Sequence, residues 1–226
     1  MTKKLVTMLG LGLIGTEIIW QLWKRFGRNH KLASRQGAAI SEVFMFSDEC
    51  SHCRNHANTR IPCSKKCPVA SVKRLIHYLD TSHKTLDVCI YIMTCQDITK
   101  AIIKAQQRKV LVRVIVDANM SENSACFNQL ELLKRNGVRV RMQRSNVSLM
   151  HHKFALIDNE ILIYGSTNWT MQAFYGNFDG ILVTNQHEFV EPFVNEFNRM
   201  WESVFTLPPA IALELRQSRG GFLSTG

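Results

Sequence analysis

The segment His151-His152-Lys153-Phe154-Ala155-Leu156-Ile157-Asp158, followed after six residues by Gly165-Ser166-Thr167-Asn168, joins a strand pattern to an uncommon set of polar groups. Side chains alternate along a strand, so His151 and Lys153 project to one face and His152, Phe154 and Leu156 to the other. One face is apolar, while the other sets a nucleophile-capable imidazole beside a fixed cation. Ser166 and Asn168 repeat the parity just past Gly165, where a missing Cβ lets an anion approach the backbone. An imidazole, an ammonium, a hydroxyl and an amide suit the oxygens of a phosphoryl group, where positioning and charge stabilisation supply most of the catalysis. His-x-Lys on a strand, or Gly-Ser-x-Asn in a turn, is ordinary by itself; the two joined at this spacing are not.

Outward from this segment, residues 153–157 and 161–164 are β-rich runs separated by Asp158, Asn159 and Glu160, which predicts a hairpin. Upstream, strand patterns over 43–46, 86–93, 110–116 and 138–142 alternate with helix patterns over 72–79, 98–107 and 127–134. This order predicts an α/β domain whose central sheet carries helices on both sides. A further strand is expected over 180–184, and Phe189, Phe193, Phe197 and Trp201, spaced by four, predict the buried stripe of a closing helix. No internal repeat is found. The expected organisation is an anchor and basic tether over 1–40, a catalytic domain over 41–205 with a Cys-rich insertion over 50–67, and a flexible tail over 206–226.

Lys and Arg outnumber Asp and Glu by 28 to 18, a net charge of +10 that favours polyanions such as nucleic acid or acidic lipid headgroups. Lys100, Lys104 and Arg108 recur every four residues on one face of a predicted helix, and Arg139, Arg141 and Arg144 lie shortly before His151. Both groups are candidates to track a nucleic-acid backbone, with a solvated helix face as the plainer reading. Residues 5–23 are mostly apolar, nineteen residues against the roughly 20 that span a bilayer, with Glu17 and Gln21 set against full insertion. They are read as a single N-terminal membrane anchor; an interfacial helix or a presequence is the competing reading. Five basic residues follow the segment and two precede it, which puts the domain on the cytoplasmic side.

Of the seven cysteines, Cys50, Cys53, Cys63 and Cys67 cluster at short spacing, which suits a tetrahedral structural zinc, with ordinary reduced thiols or a disulfide as the plainer reading; His52 or His56 could replace one thiol. Cys89, Cys95 and Cys126 sit in apolar segments and are expected to be buried.

The arrangement His-x-Lys-x4-Asp-x6-Gly-Ser-x-Asn, met by His151, Lys153, Asp158, Gly165, Ser166 and Asn168, resembles the signature of the phospholipase D superfamily. The wording around it, Met150 to Ala155 and Gly165 to Thr170, is similar to the Zucchini or mitochondrial phospholipase D family, as are the apolar N-terminus and the cysteine cluster. The resemblance runs from about Ser41 to Phe205. It implies a phospholipase D-like mixed sheet flanked by helices on both faces, a small zinc-binding insertion, and a homodimer on the mitochondrial outer membrane. It also implies an endonuclease that makes the 5′ ends of PIWI-interacting RNAs from single-stranded RNA, or alternatively a hydrolase that converts cardiolipin to phosphatidic acid. Carried over residue by residue, His151 is the nucleophile in one chain and the general acid in its partner, and Lys153, Ser166 and Asn168 bind non-bridging oxygens. Asp179 stands where the family has the acid that orients the imidazole, one methylene shorter than the usual Glu, and Gly180 stands where relatives often have Asn. Asp158, turned away from His151 by strand parity, is expected to be structural at the hairpin corner. One histidine cannot both attack phosphorus and protonate the leaving oxygen, so a chain with one copy of the signature must share its site with a second chain. This route needs neither a 2′-hydroxyl nor a catalytic metal and leaves a 5′-phosphate.

Overall fold

The computed structural model describes residues 38–48, 53, 67–121, 123–144 and 148–203. The expected anchor and tether over 1–40, apart from residues 38–40, Cys50 and Cys63 with His52 and His56, and the tail over 206–226 lie outside the described residues. Among the described residues, no helix is long and apolar enough to cross a membrane.

Seven strands form one sheet in the order β1-β7-β6-β5-β2-β3-β4. β2 (Thr85–Ile90), β3 (Leu111–Asp117) and β4 (Arg139–Gln143) run parallel, and β5 (Lys153–Ile157), β6 (Ile161–Gly165), β7 (Asp179–Thr184) and β1 (Ser41–Phe46) continue the sheet antiparallel. α1 (Pro68–Asp80), α2 (Gln96–Gln107) and α4 (Ser124–Arg135) cover one face, where Leu75, Ile98, Ile102, Leu130 and Leu133 pack with Val88, Val114 and Ala155. The other face carries α6 (His187–Ser203), whose Phe197 and Trp201 pack with Cys89, Ile115, Phe154 and Leu156. This is the expected mixed sheet between helical layers.

Local chemistry explains the element ends. α1 begins with Pro68 in its first turn, where a missing N–H costs no hydrogen bond. Asn123 caps α4 by accepting from the N–H groups of Ala125 and Cys126. α2 and α4 both end in a left-handed residue, Lys109 at φ 69° and Gly137 at φ 83°, so that each chain turns directly into the next strand.

Two features depart from the sequence reading. The short helices α3 (Ala118–Ser121) and α5 (Met171–Gly176) have too few residues to show a periodicity. The aromatic stripe of α6 is also incomplete: Phe197 and Trp201 are buried, Phe193 is half-buried and Phe189 is 50% exposed. A four-residue spacing advances roughly 40° beyond each full turn at about 3.6 residues per turn, so the row rotates off the core over three steps.

Candidate active site

Four chain segments meet where the parallel strands end: Tyr91 leaving β2, residues 151–153 entering β5, residues 165–169 leaving β6 and Asp179 entering β7. The carboxyl end of parallel strands is the usual place for a site in an α/β sheet. His151 is exposed, whereas Lys153 retains 6% of its surface. The Lys153 Nζ donates to the carbonyl oxygen of His151 at 2.9 Å. Burial holds its ammonium below the ordinary lysine value, opposed by the Asp179 carboxylate. All five residues of β5 are buried, so the division into a polar and an apolar face holds only at the strand's entrance.

Tyr91, which no motif or spacing singles out, touches both groups. Its ring meets the His151 imidazole edge-on with centroids 4.7 Å apart and lies 5.2 Å from the Lys153 Nζ. Its N–H donates to the His152 carbonyl at 2.9 Å, tying β2 to the start of β5. Met150, just before His151, donates its N–H to the buried Asp117 carboxylate at 3.0 Å, a second anchor at the end of β3. His152 points to the opposite face, as parity requires. There it packs against Phe154 and stands 3.7 Å from Glu196, whose carboxyl is held below its usual range by a hydrogen bond from Arg199.

Asp158 lies at the far end of the sheet, in the β5–β6 turn at φ 55°. Its carboxylate accepts from the N–H groups of Lys84 at 2.7 Å and Thr85 at 2.8 Å, and from that of His83 at 3.2 and 3.1 Å. The motif's aspartate therefore joins two strands and does not face the reacting groups. Gly165 is also structural, for a reason other than anion access: a Cβ there would lie 1.9 Å from the Gly180 carbonyl oxygen of β7.

The Ser166 hydroxyl donates to the Asp179 carboxylate at 2.5 Å and accepts from the N–H of Gly180 at 3.2 Å. Asp179 thus bonds to Ser166 and, among the described residues, makes no hydrogen bond to His151. In place of the expected imidazole-orienting contact, the Asp179 carboxylate takes the hydrogen bond from the neighbouring serine. Asn168 has a buried amide oxygen without a partner, a group left for a ligand or water to satisfy. Trp169, 1% exposed, fixes this loop: its carbonyl accepts from Thr94 and Cys95 at 3.0 Å each, and its N–H donates to Ile92 at 3.3 Å.

The six candidate basic residues do not form one track. Lys100 and Lys104 are exposed on α2, with Lys100 3.6 Å from Asp97. Arg108, at the opposite end of α2, bonds to Ser82 and lies 3.7 Å from Asp80. Arg139 is exposed beside Arg113 at the start of β4, far from the site. Arg141 stacks on Trp201 at 3.8 Å and donates to its carbonyl, closing the end of α6. Arg144 is exposed at the other end of β4. Arg108 and Arg141 are therefore occupied by the fold, and Arg139 is turned away from the reacting groups.

Cys53 and Cys67 are buried at 1% each, and their charges help push the Tyr175 hydroxyl up to about 12, behind the larger effects of burial and Cys95. Among the described residues no three metal-binding side chains come together. Cys89, Cys95 and Cys126 are buried, as expected.

Residues 75–201 match the family model described as cardiolipin synthase, PLD-like domain. A Danio rerio protein named mitochondrial cardiolipin hydrolase is 32% identical over 213 residues, covering 89% of this chain and 88% of that protein. A Mus musculus protein of the same name is 37% identical over 142 residues, covering 62% of each. Among solved structures, Nuc from Salmonella typhimurium, a phospholipase D family member, superposes with a TM-score of 0.59 at 22% identity, covering 73% of this chain and 95% of that one, a likeness of fold. With the signature in place and the family model covering more than half of its length, the chain belongs to the phospholipase D superfamily, in the family of the mitochondrial cardiolipin hydrolases.

Proposed function

We propose that this hydrolase cleaves single-stranded RNA through a phosphohistidine intermediate, in a site shared by two copies of the chain. The exposed His151 imidazole, set against a buried ammonium and an unsatisfied amide, carries this reading. A ring nitrogen of His151 attacks phosphorus, and the P–O3′ bond breaks. The leaving oxygen takes a proton from the His151 imidazole of the second copy, which then removes a proton from water as that water displaces the first histidine. The product carries a 5′-phosphate. Lys153, Ser166 and Asn168 hold the non-bridging oxygens, where fixed charge and donors act on the transition state. Asp179 acts through Ser166 and through its charge on Lys153.

The net charge of +10 favours RNA, and the family resemblance points to the making of PIWI-interacting RNA 5′ ends at the mitochondrial outer membrane. A second reading, hydrolysis of cardiolipin, is favoured by the names of the relatives and by Phe178 and Leu149, 77% and 55% exposed, beside Asp179 and close to His151 in sequence. Cys50, Cys53, Cys63 and Cys67 would hold a structural zinc that ties the insertion to the start of α1. Chelation should then release about one zinc per chain and lower the melting temperature.

The test is cleavage of labelled single-stranded RNA and of cardiolipin vesicles by the purified full chain, with His151→Asn as control. RNA products with 5′-phosphate ends are expected; 2′,3′-cyclic phosphates would rule out the phosphohistidine route, and cleavage of cardiolipin alone would select the second reading. Because the site is shared, activity in wild-type and His151→Asn mixtures should fall with the square of the wild-type fraction. A linear fall would mean independent sites.

A further inference from the structure

Away from the reacting groups, α1 and α2 run side by side and leave a groove between them of about 150 Å³. Its walls carry Lys73 from α1 and Lys100 and Lys104 from α2, with Asp97 the acidic residue among its lining groups. Its floor is apolar, formed by Val69, Val72, Ile76 and Ala101, with Tyr175 of α5. Lys100 lies 3.6 Å from Asp97, while Lys104 makes no ion pair among the described residues. Lys73, Lys100 and Lys104 thus set three ammonium groups around one concave surface.

We propose that this groove is a secondary site for the backbone phosphates of a single-stranded nucleic acid, an inference that rests on the reading of the chain as an RNA-cleaving enzyme. Two geometrical facts favour a strand over a flat anionic surface. First, the lysines line a recess whose aliphatic floor can take a ribose or base, whereas a bilayer meets a protein through protruding groups. Second, the groove is tied to the catalytic loop: α5, which contributes Tyr175, begins three residues after Asn168. From helical and extended rises of about 1.5 and 3.3 Å per residue, Tyr175 lies within roughly 20 Å of Asn168 along the chain. A strand of several nucleotides whose scissile phosphate lies at His151 can span that interval. At about 150 Å³ the recess is smaller than a typical small-molecule pocket of roughly 300 Å³ or more, and it suits one unit of a longer polymer.

The test measures RNA affinity on the full-length His151→Asn chain, which does not turn over, with oligonucleotides of 6 and 20 nucleotides at several salt concentrations. Lys73→Gln combined with Lys104→Gln should weaken the 20-mer about tenfold, leave the 6-mer nearly unchanged and reduce the salt slope by about 1.4, the contribution of two single-strand phosphate contacts. Lys109→Gln combined with Lys134→Gln is the charge-matched control, and thermal unfolding shows that both variants fold. Equal loss in the two double variants, or no loss in either, would overturn the groove site. Loss confined to anionic vesicles, with RNA affinity unchanged, would overturn it in favour of a membrane. The RNA-cleavage reading is judged separately by the products of the wild-type chain, so either can fail without the other.

Discussion

Replacing Asp158 tests whether the motif's aspartate is structural. Its carboxylate accepts from three backbone N–H groups at the start of β2, the shortest from Lys84 and Thr85 at 2.7 and 2.8 Å. Charge-assisted hydrogen bonds contribute about 1.5–3 kcal/mol where water cannot replace them. The amides of His83 and Lys84 reach solvent and recover most of the loss, so the Thr85 amide dominates. Ala at φ 55° adds about 1 kcal/mol of left-handed strain. Asp158→Ala should therefore cost about 3 kcal/mol, which corresponds to a melting point lower by roughly 6–12 °C for a domain of this size. Asp158→Asn keeps an acceptor oxygen and tolerates the left-handed conformation, so it should cost about 1 kcal/mol. Denaturant titration gives the stability, and kcat on the fully folded fraction gives the activity, which should stay within about threefold of wild type. Unchanged stability together with activity as low as that of His151→Asn would refute this account and place Asp158 among the reacting groups.

Gly165→Ala should destabilise by about 2–3 kcal/mol in denaturant melts, because the new methyl meets the rigid backbone of β7, whereas the tightest contact at Gly180 is the flexible Met45 side chain at 3.3 Å, so Gly180→Ala should be close to neutral. Tyr91→Leu should lower kcat five- to tenfold with little change in KM, as the ring beside His151 and Lys153 is lost, and Tyr91→Phe should restore it; a Phe variant as weak as Leu would place the effect in the hydroxyl instead. Burial lowers the Lys153 value, so the alkaline limb of kcat/KM should fall below the ordinary 10.5, and Lys153→Arg should move it out of range; a limb at or above 10.5 would contradict the burial argument. In stability the sign is fixed as well: the unfolded chain holds this proton more tightly, so stability gains from this group as pH rises through the window below 10.5.

Strand alternation carried most of the fold. The parity that separates His152 from Lys153, and the strand length that carries Asp158 to the far end of the sheet, are local properties, and the structure keeps them. Tyr91, Asp117 and Trp169 were illegible for the opposite reason: each matters through contacts with segments distant in the chain, and no spacing within one segment records them. Asp179 could be placed in sequence, but its choice of Ser166 depends on how two adjacent strands meet. Among the basic residues, charge was visible and occupancy was not. Nothing in the sequence separates Arg108 and Arg141, committed to Ser82 and Trp201, from Lys104, which faces the groove. Lys109 marks the same limit, since it takes the left-handed position at the end of α2 that a glycine announces at the end of α4.

The lacing of Trp169 to residues 92–95 has a mechanical consequence. The loop that presents Ser166 and Asn168 and the strand end that presents Tyr91 cannot shift independently, so the proposed phosphate cradle is preformed within the chain. Under the proposed two-chain site, discrimination among phosphodiesters falls to the periphery: how the partner would narrow the entrance, and where the remainder of a long substrate comes to rest.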